Sequence, residues 1–367
     1  MKPYLDIVKN TLENGHDHPD RTGVGRRSIF GTQTRFNLKD GFPLVTTRKV
    51  FTKGLIIELL WFIKGSCNVK ELQDNGVNIW NQWAVTPENI LEYATEYSEG
   101  KPEIFNEIIE EIQCNIDNIG PMYGAMWRNA PQPFIRLDWP IIDFKDIPKD
   151  KVETYQQLYN EYLELAKENP DLPSPPEGDF EHFARVMYNK TIDQLNDLIL
   201  NLKTNPYSAR HVVNAWIPSF LPFEHLKPQY NVILGRGALA PCHMCFQCFV
   251  LPPLSGSSKP RLSMQMYQRS VDLAVGAPYN IAQYSLLLHM IAQVVDMEAH
   301  EFIWTTGDTH LYANHIESVE EQLQRDPLPL PKLWLNPDIK SIFDFRFEDI
   351  RIEDYQSHPV IHYPVAT

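Results

Sequence analysis

The densest group of reactive side chains in the sequence is ALAPCHMCFQCFV, Ala238–Val250, where three thiols and an imidazole stand between Cys242 and Cys248. Such a run offers two chemistries: metal ligation through C-H-x-C-x-x-C, or nucleophilic attack by one cysteine. It is β-prone and aromatic, which predicts a buried strand between Pro241 and Leu251. Alternation along a strand puts Cys242 and Cys248 on one face and Cys245 on the other. Three sulfurs so disposed cannot surround one ion, and no metal site is expected. Cys245 and Cys248 then read as small buried hydrophobes. Cys242 differs in following a proline at the strand's start, where nearby cations would lower its pKa and make it a nucleophile. By itself the position reads more simply as a structural thiol.

Glu58 is the second candidate, set in GLIIELLWFI among Ile56, Ile57, Leu59, Leu60, Trp61 and Phe62. Desolvation disfavours a charge in such surroundings and raises the pKa, so this carboxylate needs a partner or a task. A buried salt bridge and general acid–base catalysis suit the pattern equally. Three polar clusters accompany these residues. DRTGVG sets Arg21 in a glycine-flexed loop, and its broken GxGxxG-like spelling follows no strand, which argues against a dinucleotide fingerprint. YQRSVDLAVGAPYN brings Arg269, Ser270, Asp272 and Asn280 close around turn-forming Gly276 and Pro278. GDTHLYANH sets His310 and Tyr312 two apart, on one face if extended. Singly, each arginine reads as a surface charge and each histidine as a satisfied polar residue.

The elements that must position these groups are partly legible. Tyr4, Leu5, Val8 and Leu12 have helical spacing, and Gly54–Ile63 is apolar almost all round, as a buried helix is. TIDQL spells a capping box with Thr191 as N-cap and Gln194 three residues on, leading a helix faced by Ile192, Leu195, Ile199 and Leu202. Tyr284–Val295 is a further apolar helix, and no internal repeat is present. From about residue 130 to 190 the character changes to proline and acid, centred on ENPDLPSPPEGDFEHF. Ahead of that centre Val152, Tyr155, Leu158, Tyr162 and Leu165 outline an amphipathic helix, as in an inserted surface excursion with structure of its own.

With 367 residues and 43% hydrophobic content, the chain can bury a large core. A net charge of −14 has the wrong sign for a general grip on nucleic acid, so a phosphate would need a local arginine cluster. The charged N-terminus lacks a signal-peptide stretch, and no apolar run is long enough for a membrane span. An odd set of five cysteines in a long chain suits a reducing cytoplasm, the host's if the chain is viral.

Taken in order, DRTGVG, FPLVTTRK, ELLWF, IWNQWA, GPMYGAMWR, ALAPCH, MYQRSVD, GAPYNIAQY, GDTHLYANH and the terminal PVAT resemble the folate-dependent thymidylate synthase family over the whole chain except the insertion. The resemblance implies one mixed α/β catalytic domain, residues 1–367 with an insertion at about 130–190, packed sheet against sheet as a homodimer. It implies transfer of a one-carbon unit from 5,10-methylenetetrahydrofolate to C5 of deoxyuridine monophosphate (dUMP). Cys242 would add to C6 of the uracil, Glu58 would manage proton traffic, and Tyr123 would help remove the C5 proton. Asn280 would read O4 and N3–H of the base, the amide pattern that uracil requires. Arg21, Gln268, Arg269, Ser270, His310 and Tyr312 would hold the nucleotide, with Arg210 reaching across the dimer to the partner's phosphate site. Trp80, Trp83, Asp272, Gly276 and Tyr279 would shape the base and folate pocket, Asp272 taking part in catalysis too, and PVAT would close over the ligands.

Several positions depart from the family pattern. Ala209 replaces the first of two adjacent arginines before HVVNAW, a loss of about 1.5–3 kcal/mol if the contact is not replaced. Ala274 and Ala277 are smaller than the usual apolar residues, Tyr279 stands for a common phenylalanine, and the chain ends in Thr367. Such changes bear on a sister activity, deoxyuridylate hydroxymethylation, in which water rather than hydride captures an exocyclic methylene. Trp80 argues for shielding and hence for methylation, whereas Ala274, Ala277 and Thr367 argue mildly for water. A catalytically dead paralogue that binds nucleotide or RNA is the third alternative, against which the set Cys242, Glu58, Tyr123 and Asn280 speaks.

Overall fold

In the computed structural model the described residues are 1–20, 23–131, 145, 147, 149–168, 180 and 191–364. They fall into two compact units, one of Met1–Trp127 with Leu195–Thr367 and the other of Arg128–Gln194.

The larger unit is built on a six-stranded mixed sheet in the order β1-β2-β8-β7-β6-β5. These strands are β1 (His16–His18), β2 (Arg26–Asn37), β5 (Val212–Asn214), β6 (His243–Leu251), β7 (Arg261–Asp272) and β8 (Glu298–Tyr312). Every neighbouring pair is antiparallel except β7 and β8. A parallel pair needs a crossover, and here it is the helix Gly276–Val294, fourteen of whose residues, Leu286, Leu287 and Leu288 among them, are buried. Sequence periodicity places the start of this helix at Tyr284, but it begins eight residues earlier. Gly276 and Pro278 belong to its first turn rather than to a loop, because the missing N–H of a proline costs nothing there.

Helix α1 (Lys2–Asn14) buries Tyr4, Ile7, Val8 and Thr11; of the predicted face Tyr4 and Val8 are buried, while Leu5 and Leu12 are only partly buried against the same core. Helix α2 (Thr52–Lys64) is buried nearly all round and ends at Gly65 in the left-handed conformation, φ 79°. Each fully buried Leu or Ile of this helix contributes about 1.5–3 kcal/mol of transfer free energy. Gly124 lies against the backbone of Phe62 in α2, where an added Cβ would stand 2.2 Å from the Phe62 carbonyl oxygen. This close approach ties Tyr123 to the helix that carries Glu58.

In the smaller unit β3 (Ala130–Pro131) pairs with β4 (Thr191–Ile192), and the backbone is helical from Lys149 to Glu168. Tyr155 is buried, as the amphipathic pattern requires, whereas 169–179 lie outside the described residues. Arg128 bonds the Asp193 carboxylate through Nε at 3.0 and 2.9 Å and Asp150 through a terminal nitrogen at 2.5 Å. A buried pair like Arg128–Asp193 is costly to break because the survivor keeps an uncompensated charge. This corrects the predicted capping box: Thr191 is a strand residue, and the helix starts at Gln194 directly after Asp193. The remaining short strands, β9 (Lys332–Leu335) and β10 (Ile350–Glu353), form an antiparallel pair.

Candidate active site

Strand directions bring the candidate residues to one end of the sheet. β7 and β8 finish side by side, with Asp272 opposite His310 and Ser270 opposite Asp308. β6 starts there because it runs antiparallel to β7, so His243 pairs with Gln268. β2 starts there as well, with Arg26 opposite Tyr312. The crossover helix enters at the same end, carrying Gly276, Tyr279 and Asn280 in its first turns. Arg21 and the terminal residues 365–367, including Thr367, lie outside the described residues.

Cys242 immediately precedes β6 and is partly exposed. Its N–H donates to the Tyr123 hydroxyl at 3.0 Å, and its carbonyl accepts from the Arg269 N–H at 2.7 Å. The Arg269 guanidinium is held beside it by the carbonyls of Pro241 and Ala240, both at 3.3 Å. A register shift between His243 and Cys245 interrupts the simple alternation, so the face of Cys242 does not follow by counting back from Cys248. Beyond the bulge, Cys248 is fully buried with Phe246 and Val250 while Cys245 is partly exposed. Burial pushes the Cys242 thiol above its ordinary value, and the Arg269 cation and Tyr123 hydroxyl offset part of that rise.

Tyr123 is itself buried, which raises its phenol far above the ordinary range and leaves it protonated at neutral pH. Its ring lies 4.9 Å from that of His243 and 6.2 Å from Trp80. Trp80 in turn packs edge-on against Trp83 at 5.4 Å and donates its indole N–H to Glu58 Oε1 at 2.7 Å. The second oxygen of Glu58 accepts from the Gln283 amide at 2.5 Å. Of the two readings open for this carboxylate, the buried salt bridge is absent: among the described residues its side-chain partners are these neutral donors. Desolvation raises the Glu58 pKa, and the indole and amide donors pull it part of the way back.

Asn280 is oriented by a chain of hydrogen bonds. The Trp304 indole donates to Gln268 Oε1 at 2.8 Å, which turns the Gln268 amide nitrogen onto Asn280 Oδ1, also at 2.8 Å. An indole N–H can only donate, so both amide orientations follow from it. Asn280 Nδ2 is thereby left as a donor for an incoming carbonyl. Asp272 Oδ1 accepts from the Ala274 N–H at 2.9 Å and stands 3.7 Å from His315 Nδ1. His310 and Tyr312 share a face of β8, their rings 5.2 Å apart. The Tyr279 hydroxyl accepts from the Phe51 N–H at 3.3 Å, in a cleft of about 600 Å³ that Arg48, Lys49, Lys53 and His362 also line.

Arg210 does not join this group. It is exposed beside the start of β5, and Val212 pairs with Gln247. Continued to Arg210, that register reaches the level of Phe249, so about 20 Å of strand separates it from Cys242 in the same chain. Sequence reasoning passed over His243 and Gln283. His243 carries a signal in its place next to Cys242; burial lowers its pKa to about 4, so it is neutral, and it bonds Asn280. Gln283 stands one turn after Asn280 on the same helix, but its meaning needs the packing of α2 against that helix.

The thiol electrostatics predict a pH dependence. Because the folded pKa of Cys242 is raised, peptide-resolved alkylation by iodoacetamide should climb with pH and inflect above the ordinary thiol value. Replacing Arg269 with Gln removes the favourable cation and should move the inflection up by about one unit, roughly a tenfold loss of thiolate at neutral pH. An inflection that stays put would take Arg269 out of the thiol's field.

A sequence model of the family described as thymidylate synthase matches residues 2–367. On this match the chain belongs to the thymidylate synthase family, which transfers a one-carbon unit from a reduced folate to dUMP.

Proposed function

We propose that the chain reductively methylates dUMP to dTMP with 5,10-methylenetetrahydrofolate as one-carbon and hydride donor. The observation that carries this is the unbroken contact series Cys242–Tyr123–Trp80–Glu58, a thiol and a carboxylate joined by a buried aromatic wall.

In this scheme the Cys242 thiolate adds to C6 of the uracil, and electron density at C5 attacks the one-carbon unit. Asn280 Nδ2 donates to O4, where that charge collects, while its oxygen accepts from N3–H. Tyr123, which keeps its own proton, relays the C5 proton away through bound water. Glu58 supplies and recovers protons at O4 and at the folate, for which a carboxyl with a raised pKa is suited. Elimination leaves an exocyclic methylene, a hydride from tetrahydrofolate reduces it, and Cys242 departs to release dTMP and dihydrofolate. Arg21, Arg269 and Ser270 hold the phosphate, His310 and Tyr312 the sugar 3′-hydroxyl, and Gln268 positions Asn280. Trp80, Trp83, Asp272, Gly276 and Tyr279 receive the folate, whose glutamate carboxylates suit the Lys49 and Lys53 cations at the cleft.

A homodimer completes the proposal. Gln247 and Phe249 lie opposite the buried Phe246, Cys248 and Val250, and Val212 pairs with Gln247 on that outer face. Phe249 and Val212 are 56% and 45% exposed, apolar surface that a second sheet would cover. The distance of Arg210 from its own Cys242 fits service to the partner's phosphate, beside the arginine missing at Ala209. Residues of about 130–190 are an insertion into the catalytic domain. If Arg210 acts in trans, mixing Cys242→Ala subunits with Arg210→Glu subunits should restore activity, because one heterodimer site carries neither lesion. No recovery after confirmed subunit exchange would confine Arg210 to its own chain or remove it from the phosphate site.

Hydride transfer and hydration part at the last step. Ala274 and Ala277, the residues suspected of admitting water, are 1% and 0% exposed within the packed core, and Trp80 stands over Glu58. Both features support a dry methylene. Turnover should therefore yield dihydrofolate, seen as rising near-ultraviolet absorbance, in step with dTMP. Formation of 5-hydroxymethyl-dUMP with tetrahydrofolate and no absorbance change would establish the hydroxymethylase instead.

A further inference from the structure

Gln283 has no assigned role, yet it is 2% exposed and reaches across from the crossover helix to α2. Its amide nitrogen donates to Glu58 Oε2 at 2.5 Å and to the Leu55 carbonyl at 3.3 Å. Both partners are acceptors, so the amide can face them only through its N–H groups, and its orientation is settled by chemistry. Trp80 meanwhile occupies Oε1 with a group that can only donate. Glu58 thus has one fixed donor on each oxygen, and the remaining lone pairs are what it can offer to a substrate or water.

We propose that Gln283 is a positioning residue for the reaction, acting through Glu58: with Trp80 it clamps the carboxylate in a single rotamer and selects its ionised form. Protonation of either oxygen would turn it into a hydroxyl, a weaker acceptor for the N–H donor it already holds. Each donor therefore favours the anion, opposing the burial that raises the pKa. The ionisable groups around Glu58 leave this task to the amide. Tyr123 stays protonated. The short elements Lys70–Gln73, Ile342–Asp344 and Phe347–Asp349 also pack on α2. Their Lys70, Glu71, Asp344, Glu348 and Asp349 make no hydrogen bond or ion pair with Glu58 among the described residues. The linkage between elements is direct as well: Asn280 reads the base three residues before Gln283 on one helix, so base recognition and proton supply share a rigid support.

The inference rests on the proposed role of Glu58, and its test separates the two. Gln283→Met conserves shape and removes the donor. The acidic limb of the kcat profile for dTMP formation should then move up by about one to two pH units. Turnover near neutral pH should fall about ten- to a hundredfold, while KM for dUMP changes little. In parallel, the infrared carbonyl band of protonated Glu58, assigned by its loss in Glu58→Gln, should persist to higher pH in the variant. That titration needs no turnover. If the unsubstituted enzyme makes neither dTMP nor 5-hydroxymethyl-dUMP, the functional reading fails while the band still tests the clamp. Should circular dichroism show Gln283→Met unfolded, Gln283→Glu serves instead, because two facing carboxyls share a proton and raise the limb in the same sense. A pH limb and a carbonyl band that both stay in place would overturn the proposal.

Discussion

The parallel pairing of β7 with β8 is the constraint from which the arrangement of this protein follows. Two parallel neighbours must be joined by a crossover, and the Gly276–Val294 helix fills that need. Because both strands end at the same edge, Ser270, Asp272, His310 and Tyr312 meet there without any loop having to place them. The helix begins where β7 stops, which brings Asn280 to the same edge, and its buried length packs on α2. The antiparallel neighbours on either side then start where β7 and β8 finish, delivering Cys242 from one flank and Arg26 from the other.

Burial gives this edge its chemistry. Cys242, Tyr123, His243 and Glu58 all lose water, and each is moved toward its neutral form. The contacts differ in how far they resist that drift. Arg269 supplies the thiol with a cation, Trp80 and Gln283 supply the carboxylate with neutral donors, and the phenol and imidazole remain uncharged. A thiol, a carboxyl and two neutral hydrogen-bonding groups can therefore coexist within one apolar wall. The Trp304–Gln268–Asn280 chain orients the Asn280 amide much as Trp80 and Gln283 orient the Glu58 carboxylate. In both, a group that can only donate fixes the amide or carboxylate that follows.

Much of this is legible in the sequence. Glu58 stood out because a carboxylate amid Ile57, Leu59 and Trp61 is expensive, and it is indeed buried with partners on both oxygens. The all-round apolar run of α2 translated into a buried helix, α1 buries Tyr4 and Val8 of its expected face, and His310 and Tyr312 share one face as strand spacing requires. Other features depended on information that spacing does not carry. Counting alternation from Cys248 back to Cys242 missed the bulge at His243, since a bulge is set by the neighbouring strand. Thr191 mimicked an N-cap, but pairing with Pro131 drew it into a strand and moved the helix start to Gln194. Sequence spacing assigns Gln283 nothing, because its partner lies 225 positions away.

The central claim is that Cys242 is the nucleophile that joins the uracil to the protein. Incubation with 5-fluoro-dUMP and methylenetetrahydrofolate tests it directly, because fluorine at C5 cannot leave as a proton and the covalent complex should accumulate. Mass spectrometry of a digest should find that complex on the peptide containing Cys242, and Cys242→Ala should abolish it. Labelling on Cys245 or Cys248, or an adduct that survives Cys242→Ala, would contradict the account.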